Sequence, residues 1–313
     1  MSMAFIFPGQ GSQEVGMGKA LADAFAPARE VFQEVDDALG QSLSKLMFEG
    51  PDDALRLTEN AQPALMAVSM AVMRTLAAEG GFSLDARVDY VAGHSLGEYS
   101  ALAAAGAFSL GDAARLLKTR GRAMQEAVPV GVGAMAALLG LDLDAAKEVA
   151  EAAAQGEVCQ AANDNAPGQV VVSGHTAAVE RALEIAKEKG ARRAVLLPVS
   201  APFHCSLMAP AADVMAEALE KTEISAPVVP LVANVTAESV ADPDTIRRQL
   251  VAQVTGAVRW RESVLYMKDK GVDTLVEAGA GKVLSGLARR IDRELTGQAL
   301  NGPEDIEEFL KSV

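Results

Sequence analysis

The stretch Val88-Asp89-Tyr90-Val91-Ala92-Gly93-His94-Ser95-Leu96-Gly97 decides how this chain folds. Its first half is a short apolar run with β-branched and aromatic residues, and the alanine-rich stretch that follows it has helical character. The pattern therefore predicts a strand over 88–93, a sharp turn, and a helix from about Leu96. The turn reads G-x-S-x-G, in which flanking glycines relieve the crowding and hold the serine hydroxyl out at the top of a sheet. The helix start behind it offers unpaired N–H groups and a positive dipole end, which favour a developing oxyanion. The alternative is an ordinary tight turn, because the pattern also arises by chance in a glycine-rich chain.

Outward from this elbow, short Val-, Ile- and Phe-containing runs alternate with helical periods: AFIF at 4–7, a helix near 60–79, and, late in the chain, a strand at 228–234, a helix near 260–270, a strand at 273–277 and a helix from about Lys282. That alternation predicts an α/β domain with a largely parallel sheet. The middle reads differently, as strand 133–139, helix 142–154, strands 157–162 and 169–173, helix 176–189 and strand 192–197. The order β-α-β-β-α-β is that of a ferredoxin-like unit. The expected organisation is a large domain of residues 1–127 and 199–313, with a small ferredoxin-like domain of 128–198 inserted in it.

The 313 residues are half hydrophobic and 22% charged, with 42 acidic against 28 basic residues and a net charge of −14. Such a surface disfavours nucleic acid as a partner. No window approaches the roughly 18 uninterrupted apolar residues of a membrane span, and the start MSMAFIFPGQGSQ lacks the basic region of a secretory signal. The expectation is a cytoplasmic protein without membrane association. Cys159 and Cys205 are too few for a disulfide framework and match no metal spacing, so no metal site is expected.

A serine nucleophile needs a base, and the chain has three histidines. His94 adjoins Ser95, and adjacent side chains diverge on a tight elbow. His175 reads as a helix-start residue. His204 lies in the irregular segment Pro198–His204 where the chain re-enters the large domain, which leaves it as the base by elimination; a locally bonded loop histidine is the other reading. No Asp or Glu stands out as a third member, and a backbone carbonyl could orient the imidazole instead. The loop Phe7-Pro8-Gly9-Gln10-Gly11-Ser12-Gln13 follows the first strand and can supply a second oxyanion donor from the same sheet edge; a glycine-rich phosphate loop or a plain turn is the competing assignment.

Four motifs, FPGQGSQ at 7–13, GHSLGEYSAL from Gly93, TRGRAMQ at 119–125 and SAPFHCSLM at 200–208, together resemble the malonyl-CoA:acyl carrier protein transacylases of type II fatty acid synthesis. The similarity runs from Phe5 to about Arg290. It implies an α/β-hydrolase-like large domain carrying the ferredoxin-like insertion, with the site in the cleft between them. By that resemblance Ser95 is the nucleophile, His204 the base, the backbone N–H groups of Gln10 and Leu96 the oxyanion hole, and Gln253 marks the carbonyl that orients the imidazole. Arg120 matches the arginine that binds the free malonyl carboxylate, a role suited to a planar guanidinium. Phe203 matches the residue that in related modular synthases accompanies malonyl rather than methylmalonyl; Asn163 and Asn165 match positions that line the cleft, although Asn is also a turn former; Met124 is a candidate for the acyl pocket, with a core role as the other reading. Cys205, which stands where many relatives have serine, is expected to be a packed small residue. The implied substrates are malonyl-CoA and holo-acyl carrier protein, with no cofactor, and the expected state is a monomer. An acidic carrier must meet basic residues on this acidic chain; Arg120, Arg122, Arg192, Arg193, Lys282, Arg289 and Arg290 are the candidates. A serine hydrolase, a transacylase for another acyl group and a noncatalytic docking module are the competing functions.

Overall fold

A computed structural model describes residues 2–313 and contains two sheets. The large one has six strands, β1 (Met3–Phe7), β2 (Tyr90–Gly93), β7 (Leu231–Val232), β8 (Ser239–Val240), β9 (Thr274–Ala278) and β10 (Thr296–Leu300), in the order β10-β9-β1-β2-β7-β8. All pairings are parallel except that of β8 on β7. The small one is antiparallel, with β3 (Gly133–Leu139), β4 (Cys159–Ala166), β5 (Gln169–His175) and β6 (Arg193–Leu196) in the order β4-β5-β3-β6. With helices Leu143–Ala154 and Thr176–Glu188 it forms the β-α-β-β-α-β unit that the sequence order implies.

Burial explains the composition of the central strand. Along β1 the side chains alternate faces, so Met3, Phe5 and Phe7 join one apolar cluster while Ala4 and Ile6 join another on the opposite side. A strand buried on both faces reads as an unbroken apolar run, as MAFIF does. The small sheet is also two-faced. Ala136, Leu138, Val170 and Val172 pack on its two helices, whereas Met135, Ala137 and Val171 turn toward the main core and the cleft between the sheets.

Several boundaries depart from expectation. The strand expected at 228–234 is only Leu231–Val232, because Pro230 has no N–H to give a ladder and the chain turns sharply by Ala237, whose φ is 55°. The strand expected at 157–162 runs instead over Cys159–Ala166, carried on by register shifts after Ala161 and Asp164. β10, the edge strand, and the helix Pro303–Ser312, whose Phe309 packs on Phe5 and Phe82, lie beyond the elements read from sequence. Among the described residues no helix is long and apolar enough to cross a membrane.

The sheets are joined through β4. Val258 donates its N–H to Ala162 and accepts from the N–H of Asp164, at 2.8 and 3.0 Å, forming a parallel bridge at Asn163. Arg261 then pairs with the buried Asp164 carboxylate at 2.9 Å. His94 Nε2 adds a 2.8 Å contact to Asn165 Oδ1.

Candidate active site

The elbow forms as its sequence requires. Ser95 has φ 54°, a left-handed conformation that a non-glycine residue holds only when its surroundings compel it. Glycine flanks it because space is absent: a Cβ on Gly93 would lie 1.9 Å from Gly97 backbone atoms, and one on Gly97 would lie 2.3 Å from Phe7 O. The turn is locked from below by Asn234, whose Oδ1 accepts the Ser95 N–H at 2.8 Å while its Nδ2 donates to Gly93 O at 2.7 Å.

Ser95 Oγ lies 2.7 Å from His204 Nε2. The other ring nitrogen, Nδ1, faces two carbonyl oxygens, Gln253 O at 2.9 Å and Gly256 O at 3.1 Å. A carbonyl can only accept, so Nδ1 carries the proton and Nε2 presents its lone pair to the serine hydroxyl. Burial, reinforced by the positive charge of Arg120, pushes the His204 pKa down to about 3, so the ring is a neutral base over the physiological range. His204 too has a left-handed backbone, with φ 58°. Two strained residues thus meet at one hydrogen bond.

Arg120 comes from the helix Leu110–Glu126 and is almost fully buried, at 1% exposure. Its Nη1 donates to Gln62 Oε1 at 2.8 Å; its Nη2 donates to Gln253 Oε1 at 2.8 Å and to Ser95 Oγ at 3.1 Å. The guanidinium also lies 5.7 Å from the centroid of the Tyr99 ring. Burial pulls its pKa down from the usual arginine value, yet arginine stays charged in proteins. A cation is therefore fixed beside the hydroxyl, with a planar fork fit for a carboxylate.

These groups share a cavity of about 320 Å³ lined by Gln10, Ser95, Leu96, Arg120, Met124, Phe203 and His204, with Asn163 completing its wall from the small-sheet side. The backbone N–H groups of Gln10 and Leu96 have no hydrogen-bond partner among the described residues, as donors reserved for an oxyanion would. The Gln10 side chain is held by Thr58 Oγ1 at 2.8 Å. Met124 is 1% exposed and so both packs the core and faces the cavity. Gln253 does not line the cavity; it acts from behind, through its carbonyl on His204 and its side chain on Arg120. Asn165 is engaged with His94 and likewise stands outside the lining. Cys205 is buried, its thiol 3.2 Å from Pro202 O. His175 caps its helix by position and accepts the Val158 N–H on Nδ1.

Three participants escaped the sequence reading: Gln62, Asn234 and Glu98. The first two reach the site across long sequence separations, which no spacing reveals. Glu98 carried a readable signal, as the one charged side chain in an otherwise apolar or small helix, Gly97–Ala104.

A parallel sheet with a serine on its central elbow, a neutral histidine on the hydroxyl and free N–H donors at the rim defines a serine acyl-transfer enzyme. Residues 4–294 match the family model described as "Acyl transferase domain". Among curated relatives, the malonyl CoA-acyl carrier protein transacylase of Bacillus subtilis (strain 168) is 47% identical over 99% of this chain and 97% of its own, and that of Escherichia coli (strain K12) is 49% identical over 96% of each. The crystal structure of the acyl-carrier-protein-S-malonyltransferase from Bartonella henselae superposes with a TM-score of 0.97 at 57% identity, covering 100% of this chain and 99% of that one. A holo complex of a type II polyketide acyl-carrier protein with its malonyl-transacylase has a TM-score of 0.96 at 43% identity, covering all of both chains. The chain belongs to the malonyl CoA-acyl carrier protein transacylase family.

Proposed function

We propose that this chain transfers the malonyl group from malonyl-CoA to the phosphopantetheine thiol of holo-acyl carrier protein, supplying fatty acid synthesis, through a malonyl ester on Ser95. The observation that carries the reading is the position of Ser95 Oγ, 2.7 Å from His204 Nε2 and 3.1 Å from Arg120 Nη2: nucleophile, base and carboxylate clamp meet at one atom. His204 takes the hydroxyl proton as Ser95 attacks the thioester; the oxyanion rests on the N–H groups of Gln10 and Leu96; the proton passes to the departing CoA sulfur. The carrier thiol then attacks the ester with His204 again as base, a ping-pong cycle. Arg120 holds the free carboxylate, which fixes the acyl group in one orientation and selects a dicarboxylic half-thioester. Asn163, Met124 and Phe203 shape the acyl pocket, and Gln253 and Asn165 hold its supports. Each step is assigned to side-chain or backbone groups of the chain and to the two substrates.

The division into residues 1–127 with 199–313 and the inserted 128–198 is part of the reading, supported by β3 to β6 all falling within the inserted stretch. So are a cytoplasmic location and a monomeric state, to be checked by cell fractionation and light scattering. Carrier docking falls to exposed cations such as Arg122, Arg192, Arg193, Lys282, Arg289 and Arg290; Arg120 is removed from that set because it is buried. Transfer rates that ignore added salt would exclude docking through them.

The deciding experiment is intact mass after mixing with malonyl-CoA alone, then with holo-carrier protein, for the wild type and Ser95→Ala. A malonyl adduct that needs Ser95 and moves to the carrier is the expected result. Free malonate released without a carrier, and no adduct, would make the protein a hydrolase.

A further inference from the structure

Behind the candidate site lies a carboxyl group that the cycle above does not use. Glu98, in the first turn of the elbow helix, has no exposure at all. Its Oε2 accepts from Gln253 Nε2 at 2.5 Å, and its Oε1 is buried without a partner. The same Gln253 Nε2 donates to Ser95 O at 2.9 Å, while Gln253 Oε1 accepts from Arg120. A carboxylate accepts only, so it turns the amide nitrogen toward itself and the amide oxygen toward the guanidinium. Glu98 thus sets the orientation of the one side chain that joins Arg120, the Ser95 backbone and, through its own carbonyl, His204.

The charge inventory around Glu98 is short. Arg120 faces it from the helix Leu110–Glu126, Tyr99 adjoins it on its own helix, and His204 is bonded to the Gln253 carbonyl. Burial pushes the Tyr99 hydroxyl up and the His204 ring down, so both are neutral near pH 7. Arg120 is then the single positive charge, and ionised Glu98 is its single internal counter-charge. A malonyl group brings a second carboxylate to the same guanidinium, inside a site that buries all three.

We infer that Glu98 is a positioning residue that also exchanges its charge for that of the substrate: in the empty enzyme its carboxylate is the counter-charge of Arg120, linked to it through Gln253 without direct contact, and it takes a proton from solvent when the malonyl carboxylate occupies Arg120. The balance is malonyl-CoA plus the Ser95 hydroxyl plus ionised Glu98 plus one proton, giving malonyl-Ser95, protonated Glu98 and the CoA thiol. An acetyl group carries no charge and calls for no proton. Burial already raises the Glu98 pKa to about 7 in the empty site, so a second negative charge nearby moves the titration well above neutrality. This inference rests on the proposed roles of Ser95 and Arg120, and its test separates the two.

The experiment measures proton uptake with a pH indicator in weakly buffered solution at pH 7.5 while intact mass counts acylated Ser95. Malonyl-CoA and acetyl-CoA are the two donors, with the wild type and Glu98→Gln. For the wild type, malonyl loading takes up about half a proton or more per site and acetyl loading takes up none. Between pH 7 and 9 the equilibrium extent of malonyl loading, divided by that of acetyl loading, falls up to tenfold per unit. In Glu98→Gln that ratio is flat, a result that simple loss of packing does not produce. If Glu98→Gln does not fold, the wild-type comparison of the two donors still decides the matter. Malonyl adducts without excess proton uptake, or a flat ratio in the wild type, overturn the inference alone. Absence of any Ser95 adduct overturns the proposed function instead.

Discussion

Asn234→Ala isolates the cost of holding the nucleophile elbow. Asn234 has no exposure, and its side chain satisfies one backbone donor, Ser95 N–H, and one acceptor, Gly93 O, at 2.8 and 2.7 Å. Alanine removes both partners and leaves two buried polar groups unpaired, at about 1–3 kcal/mol each, or about 2–6 kcal/mol together. The same bonds restrain Ser95 in its left-handed conformation, which itself costs about 1–3 kcal/mol. Released from them, the elbow relaxes, the hydroxyl shifts from His204, and turnover falls, since a displacement of about 1 Å can cost about a hundredfold. Asn234→Asp sharpens the test: one carboxylate oxygen keeps the Ser95 N–H, but the other meets Gly93 O with no proton to offer. Urea unfolding gives the stability change, and steady-state malonyl transfer gives kcat/KM. A variant within about 0.5 kcal/mol of wild type, with unchanged kcat/KM, would refute the claim that Asn234 holds the elbow.

Further outcomes follow from the same geometry. Arg120→Ala should lower kcat/KM for malonyl-CoA by about 10²–10⁴, the loss of two charge-assisted hydrogen bonds, and lower acetyl loading far less; equal losses would remove the carboxylate role. Gly93→Ala drives a Cβ into Gly97 backbone atoms at 1.9 Å, so it should fail to reach a native fold, and a native near-UV circular dichroism spectrum would contradict this. His204 is held neutral by a pKa lowered to about 3, so its contribution to stability is present above about pH 6.5 and is lost as pH falls toward 3, by up to about 1.4 kcal/mol per unit. Unfolding of His204→Ala measured from pH 7 to 4 should lack that component of the slope, and an unchanged slope would mean the ring is not buried neutral. Glu98 works in the opposite sense, since its raised pKa removes stability as pH rises from about 4.5 to 7. Glu98→Gln should flatten that limb.

Local rules made the elbow and the small unit legible. The strand before Gly93 and the helix after it follow from periodicity, and G-x-S-x-G marks the turn; the close approach of Gly97 to Phe7 O is the physical reason for the second glycine. The β-α-β-β-α-β order needed only alternating periods. Length of strands was harder, because Pro230 cuts one short while bulged pairing prolongs another past Ala161. At the site, Ser95, His204 and Arg120 sit inside dense motifs, and the fold brings them together. Gln62 and Asn234 sit in unremarkable surroundings; what places them is tertiary, a partner reached across the sheet. Glu98 lay inside the motif itself, yet the burial that raises its proton affinity, against the opposing pull of Gln253 and Arg120, is tertiary and not visible in spacing.

The bridge between β4 and Val258 bears on how the molecule breathes. With Ala162 and Asp164 hydrogen-bonded to a segment on the other side of the cleft, and Asp164 closed by Arg261, the wall that carries Asn163 cannot swing open without rupturing backbone bonds and stranding a buried carboxylate. Amide exchange at Asp164 and Val258 should therefore track global unfolding rather than a low-energy local opening. The width of the slot is then set by the same bonds that tie β4 to Val258 and Arg261.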